Sequence, residues 1–157
     1  MRELAFRVLA IAFAFALFEG GLRVLGQPRY DTCWVSDNEF WREDPVLGFA
    51  YEPGMAMAGG VVNALGLRGP VPAREKPADT RRILYVGDST VYGFGVADDE
   101  AFWSLATRAV EARHPGQRFE AMVAAAPGYS TFQSRVLVER FAPFEPDWAV
   151  FYVGAHN

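Results

Sequence analysis

From Arg81 onward the chain alternates short apolar runs with helical periods, and this alternation restricts its fold more than any other feature. Ile83-Leu84-Tyr85-Val86 is apolar at every position, as expected for a parallel strand buried on both faces. A helical stretch opens at Asp98-Asp99, with Asp98 as its N-cap. It runs through Phe102, Leu105, Ala106, Ala109 and Val110 and stops at His114-Pro115-Gly116. Phe119 to Ala124 reads as a second strand. Thr131 to Phe141 reads as a second helix, capped by Ser130 or Thr131 and broken by Pro143 and Pro146. Trp148 to Val153 is a third apolar strand. Strand-helix-strand-helix-strand predicts an α/β fold, with a parallel sheet between helical layers. Right-handed crossovers bring the carboxyl ends of the strands to one edge, where open α/β sheets place their sites.

Three loops leave that predicted edge. Gly87-Asp88-Ser89-Thr90 follows the first strand, Pro127-Gly128-Tyr129-Ser130 the second, and Gly154-Ala155-His156-Asn157 the third. Ser89, Gly128 and Asn157 therefore converge, and their chemical types suit acyl transfer. A hydroxyl attacks a carbonyl, while backbone N–H groups and a side-chain amide receive the negative charge that develops. Glycine at 128 leaves its N–H open to a close substrate oxygen. Asp88 sits in a tight turn and is expected to fix the loop through backbone hydrogen bonds. Thr90 and Tyr92 read as packing or capping residues. Nucleotide binding is the weaker alternative: Gly87 to Gly95 matches neither G-x-G-x-x-G nor a P-loop with its lysine. No cofactor motif and no metal-ligand cluster is read from the sequence.

Ile83 to Gly93, Ile-Leu-Tyr-Val-Gly-Asp-Ser-Thr-Val-Tyr-Gly, resembles the first conserved block of the SGNH/GDSL hydrolases. Ala126-Pro127-Gly128-Tyr129-Ser130-Thr131 resembles the second block, and Asp147-Trp148 through Asn157 the approach to the third. Asn63-Ala64-Leu65-Gly66-Leu67-Arg68-Gly69 resembles the segment that precedes the first block in membrane-anchored bacterial members, and Glu19 to Arg23 the end of their amino-terminal span. The resemblance implies a three-layer SGNH/flavodoxin-like sandwich. It implies Ser89 as nucleophile, with Gly128 N–H and the Asn157 amide in an oxyanion hole. It also implies a sugar, polysaccharide or lipid ester of the cell envelope as substrate. Two departures stand out. The third block usually reads Gly-x-Asn-Asp, whereas Gly154-Ala155-His156-Asn157 carries one extra residue. The family's catalytic acid and base lie in an Asp-x-x-His, and no such motif follows the third strand before Asn157. The domain is therefore expected to be incomplete at its carboxyl end and the chain to lack its catalytic base.

Neither histidine replaces that base on sequence grounds. His156 lacks a carboxylate three residues before it. Glu111-Ala112-Arg113-His114 has the acid-x-x-His spacing but lies at the far end of the first helix, about 23 Å from the Ser89 edge. His114 is better read as a helix C-terminal charge near the dipole. A non-catalytic, membrane-anchored remnant or interaction module is the alternative function.

Residues 1–26 read as a signal anchor. Val8 to Phe18 is an uninterrupted apolar run preceded by Arg2 and Arg7. Eleven residues make only about 16 Å of helix against a hydrocarbon core of about 30 Å. Counting from Leu4 to Leu25 gives a full span, with Arg7 snorkelling at one interface and Glu19 and Arg23, four apart, paired near the other. An uncleaved anchor places the rest of the chain outside the cytoplasmic membrane; a cleaved signal peptide makes it secreted, and a buried soluble helix is the third reading. Residues 27–80 hold most of the prolines, frequent aromatics and no helical period. They are read as an irregular segment whose aromatics, Tyr30, Trp34, Phe40, Trp41, Phe49 and Tyr51, pack on the domain that follows, 81–157, in preference to forming a sugar-binding platform. Val61-Val62 reads as a short strand and Pro72 to Thr80 as a polar connector. The net charge of −4 and the absence of a basic stripe argue against a nucleic-acid partner. Cys33 is the single cysteine, so no intrachain disulfide can form and the redox compartment stays open.

Overall fold

The computed structural model describes residues 2–25, 41–57 and 59–154. The chain divides into two compact units, Met1–Asn38 and Glu39–Asn157. In the first unit, α1 (Arg2–Val24) is one continuous helix of 23 residues, about 35 Å long at 1.5 Å per residue. Its stretch Glu3–Val24 is long and apolar enough to cross a membrane. Residues Glu3 to Gly21 are all exposed, and the Arg23 guanidinium pairs with Glu19 at 2.9 Å, as the spacing predicts.

The second unit is built on a three-stranded parallel sheet of order β6-β5-β7. Its strands are β5 (Thr80–Gly87), β6 (Arg118–Ala125) and β7 (Trp148–Tyr152). After β5 comes the single-turn α2 (Ser89–Tyr92), then α3 (Phe102–Arg113); α4 (Thr131–Phe141) follows β6 and runs into a 3-10 turn at Ala142–Phe144. Alternate residues of β5 and β6 serve opposite faces. Leu84, Val86, Met122 and Ala124 pack with Val136 and Leu137 of α4, whereas Ile83, Tyr85, Ala121 and Val123 pack with Trp103 of α3. Helices thus cover both faces of an α/β sheet. Ser130 caps α4 through a capping box with Gln133.

The start of α3 corrects the sequence reading. The helix begins at Phe102 with Ala101 as N-cap and no side-chain cap. Asp98 is drawn away instead, its carboxylate accepting from Arg68 Nε at 2.6 Å. The segment before β5 also holds more order than its composition suggests. β1 (Trp41–Asp44) and β2 (Gly48–Tyr51) form an antiparallel hairpin, with Trp41 opposite Tyr51. β3 (Ala56–Met57) and β4 (Gly60–Val61) form a second, minimal one. Of the six aromatics expected to pack, Trp41, Phe49 and Tyr51 join the core on the α4 face of the sheet, and Tyr30, Trp34 and Phe40 lie outside the described residues.

The lower end of the sheet is tied by charge. Buried Arg82 donates to Glu120 at 2.7 Å and to the carbonyls of Phe144 and Ala73 at 2.6 and 2.8 Å. Asp147 accepts from Lys76 at 2.8 Å, Arg81 at 3.0 Å and the Arg82 amide at 2.7 Å. Burial opposes ionisation of Asp147, but these three donors outweigh it and hold the carboxyl at about 2, against an ordinary 3.8. Because the folded value is the lower one, ionised Asp147 stabilises the fold above about pH 4, and this contribution is lost as pH falls from there toward 2. Asp147→Asn is expected to cost about 1–2 kcal/mol at neutral pH. The gap from the parent protein should close near pH 2, as read by urea unfolding at both pH values.

β7 contrasts with its neighbours: every residue from Trp148 to Tyr152 is exposed. A groove of about 740 Å³ runs along one side, lined by Tyr85, Phe102, Phe119, Trp148 and Val150 among others. A second of about 400 Å³ lies against Phe151, Val153 and Val138. An edge strand bare on both faces is a template for pairing. The 157-residue chain is therefore expected to self-associate with concentration in sedimentation velocity. A monomer that melts cooperatively would contradict this.

Candidate active site

The register of the sheet decides what meets at its carboxyl edge. Gly87 pairs with Ala125 on one side and with Tyr152 on the other. Ser89 lies two residues beyond Gly87 and Gly128 three beyond Ala125, so both leave the same edge from adjacent strands, which lie about 4.8 Å apart. Gly87 must be glycine. A Cβ there would fall 2.3 Å from the Tyr152 carbonyl oxygen and 2.5 Å from Val91 Cγ2, so a side chain would push the Ser89 turn off the sheet.

Ser89 is the first residue of α2 and is half-buried. Asp88, buried, caps it: Oδ1 accepts from the Thr90 amide at 2.9 Å. This is the loop-fixing role expected of it. The second carboxylate oxygen, Oδ2, meets no donor among the described residues. Gly93 closes α2 in the left-handed conformation and returns its N–H to the Ser89 and Thr90 carbonyls. Tyr92 is fully buried, as a packing role requires; burial, the leading cause, raises its hydroxyl above the ordinary tyrosine value. Thr90 is exposed. A shallow cavity of about 400 Å³ opens beside Ser89, walled by Thr90, Gly93, Phe94, Val96 and Phe102.

The loop carrying Gly128 is held from behind. Gly128 has φ +78°, a conformation that favours glycine, and a Cβ there would touch Phe49 Cζ at 3.4 Å. The hairpin β1–β2 braces this loop at three points. Tyr51 donates to the Pro127 carbonyl at 2.9 Å, Tyr129 to the Phe49 carbonyl at 3.2 Å, and Gln133 to the Leu47 carbonyl at 3.0 Å. Among the described residues, neither the Ser89 N–H nor the Gly128 N–H has an acceptor, and the Ser89 hydroxyl has no hydrogen-bond partner. Two backbone donors and a hydroxyl that meet no partner among the described residues, at adjacent strand ends, suit the receipt of a negatively charged oxygen.

The loop after α2 depends on Arg68, whose side chain is 0% exposed. Its guanidinium donates to the carbonyls of Tyr92 at 3.1 Å, Gly59 at 3.1 Å and Val96 at 2.6 Å, and to that of Gly93. It also lies over the Tyr92 ring, 5.3 Å from the centroid. The sequence quoted Arg68 only within a motif and gave it no role, because nothing in the local pattern separates a buried arginine from a surface one.

His114 does not reach the site. It follows α3 at the opposite end, where its ring lies 5.9 Å from that of Phe119 at the start of β6. His156 and Asn157, the expected third oxyanion donor, lie outside the described residues, as does Cys33. No group of histidine, cysteine and acidic residues among the described residues could hold a metal ion. Comparison with protein-family models and with curated proteins finds no match.

Arg68→Lys is expected to destabilise the fold by about 3 kcal/mol, since an ammonium cannot reproduce the planar fork and leaves buried carbonyls unpaired. Urea unfolding reads the loss, and hydrogen exchange should locate its first effect in residues 93–98.

Proposed function

We propose that this chain is a serine ester hydrolase of the SGNH/GDSL type, tethered by α1 and facing away from the cytoplasm. Ser89 is the nucleophile, and the N–H groups of Ser89 and Gly128 and the Asn157 amide receive the charge of the tetrahedral intermediate. The reading is carried by the Gly87–Ala125 register, from which Ser89 and Gly128 leave one sheet edge with N–H groups that meet no acceptor among the described residues. The resemblance of three sequence blocks adds the family, its three-layer sandwich and the substrate class: an acylated sugar, polysaccharide or lipid of the envelope. The cavity beside Ser89 has room for a small acyl group. The general base comes from a segment other than those described. His114 as base would have to cross the length of α3, about 18 Å for its 12 residues.

His114 at the wrong end of the domain also favours a second reading, a non-catalytic anchored module. One experiment separates the two. The 157-residue chain is given p-nitrophenyl acetate with and without added imidazole as a diffusible base, with Ser89→Ala as the blank at each concentration. Without imidazole the parent should match the blank, because loss of the histidine costs roughly 10⁴-fold or more. With imidazole the parent should exceed the blank at least several-fold, and acetyl should appear on the Ser89 peptide by mass spectrometry. Equal rates throughout, with no acetylated Ser89, would leave only the non-catalytic reading.

A further inference from the structure

We infer that Tyr51 is a positioning residue for the candidate oxyanion donor, its hydroxyl fixing the Pro127–Gly128 peptide so that the Gly128 N–H faces the site. This rests on the ester-hydrolase reading for its catalytic meaning, but the geometry stands by itself. Tyr51 is buried in β2, and its hydroxyl donates to the Pro127 carbonyl oxygen at 2.9 Å across 76 residues of sequence. In a trans peptide the carbonyl and the following N–H point in opposite directions. Gripping the Pro127 oxygen from the β2 side therefore turns the Gly128 N–H to the opposite side of the C–N bond, away from β2. That N–H has no acceptor among the described residues. Gly128 is also exposed, so the donor is open to a ligand.

Trp41, directly opposite Tyr51 in the hairpin, meets its ring edge-on at 5.9 Å. Burial, with a smaller contribution from Tyr92, pushes the Tyr51 hydroxyl up to about 12, so the phenol stays protonated and remains a donor at neutral pH. Aromatic contacts hold the rings in place: Trp41 stacks on Phe49 at 5.0 Å, and Phe49 meets Tyr129 edge-on at 5.2 Å.

The test uses the 157-residue chain in detergent micelles, with two readouts. One is the Gly128 amide resonance in a ¹⁵N–¹H spectrum, and the other is imidazole-assisted, Ser89-dependent turnover. Tyr51→Phe keeps the ring and removes the grip. It should move the Gly128 amide upfield and lower kcat about five- to tenfold, less than deletion of a whole oxyanion donor, with KM within about twofold. Trp41→Phe keeps the Tyr51–Pro127 bond and trims only the ring that meets Tyr51 edge-on, so both effects should be smaller. A hairpin that served only as packing would reverse this order, because Trp41→Phe loses the larger ring surface; that result, or an unmoved Gly128 amide in Tyr51→Phe, overturns the inference. If the parent shows no Ser89-dependent turnover, the ester-hydrolase reading fails, while the Gly128 resonance still judges the grip.

Discussion

A guanidinium out of reach of water must have its charge balanced and its N–H groups met, or the fold that buries it is lost. Arg68 satisfies that demand by gathering strands of chain that have no other reason to meet. It takes the Gly59 carbonyl from the β3–β4 hairpin, those of Tyr92 and Gly93 from the end of α2, and Val96 and Asp98 from the approach to α3. The turn bearing Ser89 is thus locked from its carboxyl side by a residue that precedes β5. Arg82 solves the same problem at the opposite end of the sheet, taking carbonyls from the 72–79 connector and the turn after α4. Between them the two arginines make residues 41–80 a working part of the α/β unit.

The two glycine-bearing loops are supported in different currencies. The Ser89 turn is held by charge, through Arg68, and by the absence of a side chain at Gly87. The Gly128 loop is held by an apolar aromatic cluster with three hydrogen bonds at its rim. Salt screens the first little, because the guanidinium is buried. Mild denaturant, which solvates aromatic and peptide surface alike, should reach the second first.

Much of the sheet was legible from the sequence, because β5 and β6 carry apolar runs and α4 is bounded by Ser130 or Thr131 as a cap and by Pro143 and Pro146 as breakers. The strand pattern set Ser89 and Gly128 at one edge, and in the structure both follow the paired ends of β5 and β6. What escaped was whatever depends on contacts distant in sequence. Asp98 looks like an N-cap in any local window, yet a buried arginine 30 residues away claims it. The β1 and β2 strands are four residues each, too short to show a period, and the segment that holds them was read as irregular. Tyr51 could be assigned to packing from its type, but not to a hydrogen bond with a carbonyl 76 positions later.

The hairpin's contacts also say something about the order of assembly. Tyr51–Pro127, Phe49–Tyr129 and Leu47–Gln133 close loops of 76, 80 and 86 residues, whereas β5 and β6 are joined by a local crossover. Closing long loops is entropically slow. The parallel strands can pair before the hairpin docks, leaving a nearly complete sheet with an unbraced Gly128 loop. Maturation of the site would then trail formation of the bulk fold, in a distinct and later kinetic step.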